Sequence, residues 1–130
     1  MNTNYEKDFV PYEQALALKE LGFDEPCLAT YHKELHTIIP IYAEYTNQDV
    51  IKAPLYQQAF RWFREKHNID AWVQPFVSEK HGKPFLPDES YAYYIFEDGV
   101  YVADGVNFLD SEEAELACLK KLIEIVKQQL

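Results

Sequence analysis

The stretch Tyr91-Ala92-Tyr93-Tyr94-Ile95-Phe96-Glu97-Asp98-Gly99-Val100-Tyr101-Val102 decides the fold class. Asp-Gly between two apolar runs predicts a two-residue hairpin. A type I′ turn needs positive φ at both central residues, which Asp tolerates and Gly adopts freely. The strand 91–96 is apolar or aromatic in both alternating registers, more than one buried face requires. Either both of its faces are covered, or one is a contact surface.

Moving outward, the run 71–77 predicts a third strand, joined to the hairpin by a polar loop over 78–90, so a β-meander follows. On the other side, Asp110 with Glu113 three residues on has the spacing of a helix N-cap and its partner. The helix it opens runs to the C-terminus with Leu116, Leu119, Ile123, Val126 and Leu130 on one stripe. Its acids precede Lys120, Lys121 and Lys127, the order the helix dipole favours.

Earlier in the chain, residues 54–67 carry a wide apolar face of Leu55, Ala59, Trp62 and neighbouring aromatics, with Arg61, Arg64, Glu65 and Lys66 left for solvent. The runs 27–31 and 38–43 are rich in β-branched and aromatic residues and predict two strands, the second at an edge because of Pro40. Residues 11–21 predict a first helix opened by Pro11 and stopped by Gly22, with Phe9 and Phe23 as flanking core contacts. The order is α-β-β-α-β-β-β-α. It predicts an α+β fold with an antiparallel sheet of about five strands covered by three helices. A length of 130 residues without a repeat or linker predicts one domain over 1–130.

The formal charge is −10, and it is unevenly placed. Segment 84–119 holds nine carboxylates (Asp88, Glu89, Glu97, Asp98, Asp104, Asp110, Glu112, Glu113, Glu115) and no Lys, Arg or His. Such a balance disfavours direct binding of a phosphate backbone and favours a basic protein surface as partner. A turn accounts for Asp98, and a helix cap accounts for Asp110 and Glu113. The acids left for a partner are Asp88, Glu89, Glu97, Asp104, Glu112 and Glu115, with Tyr91 and Tyr93 as aromatic contacts. Solvation alone is the competing account of the same charge.

No motif supplies a catalytic centre or a cofactor site. His32 and His36 have the i, i+4 spacing of a helical metal pair. However, the position after the first His, where a zincin has Glu, is Lys33, and the region has the character of a strand connection. Cys27 and Cys118 lack basic neighbours and suit core packing as reduced thiols. Gly82-Lys83-Pro84 lacks the earlier Gly and the following Ser or Thr of a phosphate loop. Aromatic residues make up 15% of the chain, but base-stacking proteins add a positive groove, and Arg61, Arg64 and Lys66 are the only basic cluster. The expectation is a non-catalytic, metal-free and cofactor-free protein of a cytoplasm, with no secretory leader and no membrane span.

Three stretches carry a resemblance: Phe9-Val10-Pro11-Tyr12-Glu13 through Leu21-Gly22-Phe23-Asp24-Glu25-Pro26-Cys27, then Ala53-Pro54 through Gln58-Ala59-Phe60-Arg61-Trp62-Phe63-Arg64-Glu65-Lys66, and Glu113-Ala114-Glu115-Leu116-Ala117-Cys118-Leu119-Lys120-Lys121-Leu122-Ile123-Glu124-Ile125-Val126. Together they resemble small uncharacterised proteins of Bacteroidota genomes, prophages and phages, a family with no assigned activity. The resemblance implies a mobile-element setting and no site residue. In that setting the acidic segment suggests an inhibitor of a host defence nuclease, anti-CRISPR-like, whose carboxylates imitate phosphates on the basic channel of an RNA-guided nuclease. The competing expectations are a phage structural or regulatory accessory protein and a small enzyme. The two-sided apolar strand equally suits a homodimer.

Overall fold

A computed structural model describes residues 4–32, 34–40, 51–76 and 90–130. They form an α+β fold of three helices and two three-stranded antiparallel sheets. After a 3₁₀ turn, Asn4–Asp8, helix α1 spans Tyr12–Glu20. Its end is a Schellman motif. Gly22 takes φ +103°, Phe23 N donates to Leu18 O (3.0 Å), and Gly22 N donates to Lys19 O (3.0 Å). Phe9 and Phe23 are buried on either side of the helix, as the sequence predicts.

The first sheet has the order β2-β1-β3, with β1 Ala29–Tyr31, β2 Ile38–Pro40 and β3 Ile51–Ala53. Pro40 lies on an edge strand, where a missing backbone N–H breaks no ladder. The three residues of β3 carry too short an alternation to register as a strand in the sequence. They form one because Ala29 to Tyr31 offers a second free side. Of the expected strand 38–43, residues 41–43 lie outside the described residues.

Helix α2, Tyr56–His67, buries Tyr56, Ala59, Phe60, Trp62 and Phe63. It ends on Asn68 in the left-handed conformation (φ 56°), a position Asn accepts better than most residues. The chain then enters the second sheet, order β4-β5-β6, with β4 Ile69–Pro75, β5 Tyr91–Glu97 and β6 Val100–Phe108. The β5-β6 turn has φ 53° at Asp98 and 78° at Gly99, the two positive values a type I′ turn requires. Asn68 Nδ2 donates to Asp98 Oδ1, and Asp98 N donates to Asn68 O (3.1 Å), so the turn is tied to the end of α2.

Helix α3, Ser111–Gln129, carries the predicted N-cap, with Glu113 N donating to Asp110 Oδ1 (2.8 Å), while the Glu113 carboxylate makes no reciprocal bond to Asp110 N. It lies across one face of β4-β5-β6, burying Cys118, Leu119, Leu122, Ile123 and Val126. Leu130, expected on that stripe, lies beyond the helix and is exposed. One continuous core, from Phe9 to Val126, joins both sheets and all three helices. Among the described residues the strands number six in two sheets, rather than about five in one. Among the described residues, no helix is long and apolar enough to cross a membrane.

Candidate functional site

Strand pairing determines which side chains of the second sheet meet α3 and which turn away. Ala71 opposes Ile95, Ile95 opposes Ala103, and Tyr93 opposes both Val73 and Gly105; the side chains of Ala71, Val73, Tyr93, Ile95 and Ala103 belong to or pack on the core, and Gly105 lies against the Tyr93 ring. The alternate positions face the other way. Asp70 opposes Phe96, Trp72 opposes Tyr94, and beyond them stand Tyr101, opposite Phe96, and Asp104, opposite Tyr94.

The outer face thus carries an aromatic ladder across three strands. Trp72 stacks on Phe96 (ring centroids 5.5 Å, 11° between planes) and lies 5.8 Å from Tyr94; Phe96 meets Tyr101 edge-on at 6.0 Å. Cross-strand aromatic pairs of this kind stabilise a sheet and stiffen its surface. Trp72 Nε1 donates to Gln74 Oε1 (2.9 Å), which restrains the indole further. Trp72 remains 41% exposed, Tyr101 54% and Val106 41%, so the ladder is a surface and not a second core. Asp70 and Asp104 put a carboxylate on each flank of it. Partial desolvation and the adjacent Asp104 carboxylate hold the Tyr101 hydroxyl above the ordinary phenol range.

The acids singled out in the sequence do not form one surface. Asp88 and Glu89 lie outside the described residues. The Glu97 carboxylate accepts from Gln129 Nε2 (3.1 and 2.9 Å) near the C-terminus of α3. Glu112 pairs with Lys7 (3.6 Å) at the other end of that helix, about 25 Å away at 1.5 Å per residue. Glu115 accepts from Gln57 Nε2 (3.5 Å) beside α2. Of the four that are described, Asp104 alone is on the aromatic face. Contiguity in sequence is lost here because a strand, a turn and a helix each send successive side chains in different directions.

The aromatic pair also needs correction. Tyr93 is a core residue at 8% exposure, its ring packed on Phe108 (5.8 Å), and it is closed off from a partner. Tyr91 is half-buried opposite Phe108. The aromatics on the outer face are Tyr94, Phe96, Trp72 and Tyr101. The sequence showed apolar side chains in both registers of β5, but the exposed register is decided by pairing with β4 and β6.

The histidine pair belongs to the β1-β2 turn. His32 Nδ1 accepts from the backbone N–H groups of Glu34 (3.1 Å) and Leu35 (3.0 Å), while His36 (φ 56°) stacks on Tyr12 at 3.7 Å. Among the described residues, no three His, Cys, Asp or Glu side chains are grouped to hold a metal ion. Burial pushes the Cys27 thiol up to about 11 and Cys118 up to about 12, so both are neutral packing groups at physiological pH. No protein-family model matches the chain, and neither a curated protein nor a solved structure shows significant similarity to it.

Proposed function

We propose that this chain is a non-catalytic binding protein that docks the outer face of β4-β5-β6 onto a basic protein surface. The carrying observation is the exposed ladder of Trp72, Phe96 and Tyr101, flanked by Asp70 and Asp104. Rigid aromatic side chains with a charged rim have the composition of binding hot spots, and a charge of −10 steers the protein toward a cationic partner. The resemblance to phage proteins favours a host-cytoplasmic target. An RNA-guided defence nuclease, whose nucleic-acid channel is basic, fits that chemistry. In this reading the aromatics supply the contact area. The carboxylates orient the encounter, and phosphate imitation by a continuous acidic segment is unnecessary.

The test is capture of purified RNA-guided effectors by the intact chain, alongside the Trp72→Ala and Tyr101→Ala variants. Each substitution should weaken binding by roughly 30-fold or more, a loss of about 2 kcal/mol at a hot spot. Asp104→Lys should slow association at low salt and leave dissociation nearly unchanged. Capture that survives both aromatic substitutions would remove the outer face from the mechanism. Concentration-dependent dimerisation through that face, in place of capture, would identify the partner as a second copy.

A further inference from the structure

A concavity of about 600 Å³ lies where the 3₁₀ turn, α1, the β1-β2 turn and the first residues of α2 and α3 converge. Its size is that of a small-ligand site. The apolar part of its wall includes the rings of Tyr12, Tyr31 and Tyr56, and the described residues of its rim include Glu112, Glu113 and Lys7. The walls are restrained. Tyr31 Oη donates to Val10 O (2.6 Å), Tyr12 meets Tyr31 edge-on at 5.6 Å, and His36 covers one face of Tyr12. Tyr56 is only 5% exposed, and its hydroxyl, which makes no hydrogen bond with any described residue, is the part that still reaches solvent, since none of the buried side-chain polar atoms among the described residues lacks a partner. With its ring buried and its oxygen accessible at the cleft, Tyr56 offers an entering donor a hydroxyl that water otherwise solvates.

Lys7 marks where positive charge is favourable. Its Nζ lies 3.6 Å from Glu112 Oε1, and both side chains are more than 40% exposed, so this is a weak pair that another cation can displace. An apolar, tyrosine-rich floor beneath an acidic rim suits a ligand with an alkyl stem and a flat cationic head. Guanidinium fits better than ammonium, because it stacks on aromatic rings and offers a fork of donors to a carboxylate.

We infer that this cleft is a receptor for a guanidinium group on an alkyl stem, the chemistry of an arginine side chain. The stem lies along the tyrosines, while the head displaces Lys7 from Glu112 and donates to Glu112 and the Tyr56 oxygen. The cleft shares no residue with the outer face of the second sheet, so either assignment can fail without the other.

The test is an amide-resolved NMR titration of the intact chain with free L-arginine, Nα-acetyl-L-arginine amide and the uncharged citrulline counterpart of the latter. Saturable shifts centred on Tyr12, Tyr56 and Glu112 are expected with an arginine ligand and not with citrulline. Binding of the capped form alone marks a polypeptide source, and binding of the free form alone marks the amino acid. Lys7→Ala should tighten binding by about threefold or more by removing the competing cation. Lys121→Ala makes the same change of net charge at the distant Glu124 pair and should leave binding within experimental error. Tyr56→Phe, which keeps the buried ring, should weaken it. Absent or unsaturable shifts, equal binding of citrulline, or equal effects of the two lysine variants would overturn the assignment.

Discussion

At the scale of single residues, Gly105 shows how an apparent turn signal sits inside a strand. A Cβ at this position would come within 2.9 Å of Tyr93 Cζ and 3.1 Å of Phe108 Cε2, so the missing side chain is what lets the Tyr93 ring pack under β6. Gly105→Ala should therefore destabilise the protein by roughly 1–3 kcal/mol, as overpacking does, measured by urea unfolding. An unchanged midpoint would show that the ring has room to move. Glu115 makes a prediction about pH. Burial raises its carboxyl above the ordinary range, the Gln57 hydrogen bond opposes that shift, and Glu112 and Asp8 add to it. The folded chain thus holds this proton more tightly than the unfolded one. Its contribution is present below the unfolded value and is lost as pH rises through the folded one. Glu115→Gln should raise the melting temperature at pH 7 and lose that advantage near pH 4. An advantage that persists in acid would place its origin elsewhere than in the charge.

Between elements, the consequential contact is the clasp of the α2 C-cap on the β5-β6 turn. Asn68 and Asp98 both have positive φ, and each is joined to the other through backbone and side chain. This clasp ties the end of α2 to the β5-β6 turn at the point where the chain enters β4, the strand that carries Trp72. A double-mutant cycle of Asn68→Ala and Asp98→Ala should return a coupling of about 0.5–1.5 kcal/mol, the range of a hydrogen-bonded pair in contact. Additive effects would mean that the two left-handed residues act separately. The helices themselves needed no such long-range help. Gly22 after α1 and the Asp110-Glu113 spacing at α3 are signals confined to a few consecutive residues, and both formed the caps their chemistry predicts. The three-residue strand β3 is the opposite case: no signal within Ile51-Lys52-Ala53 distinguishes it, and it exists through its pairing with β1.

For the molecule as a whole, a single core from Phe9 to Val126 predicts cooperative unfolding of both sheets. Leu119→Ala, at a fully buried position, should cost about 2–5 kcal/mol. Far-ultraviolet circular dichroism and the fluorescence of Trp62, isolated by Trp72→Phe, should report one coincident transition before and after that change. Separated transitions would divide the core. The same packing explains what the sequence could and could not determine about this protein. Fold class, the hairpin, the helices with their caps and the total charge were legible, because each depends on residue type or on neighbours a few positions apart. Division of the strands into two sheets, exposure of Trp72 and Phe96 rather than Tyr93, and dispersal of Glu97, Glu112 and Glu115 around the molecule were decided only by the tertiary structure. Which face a strand presents, and where a carboxylate ends up, are set by partners from about 20 to more than 100 residues away, and no local periodicity encodes them.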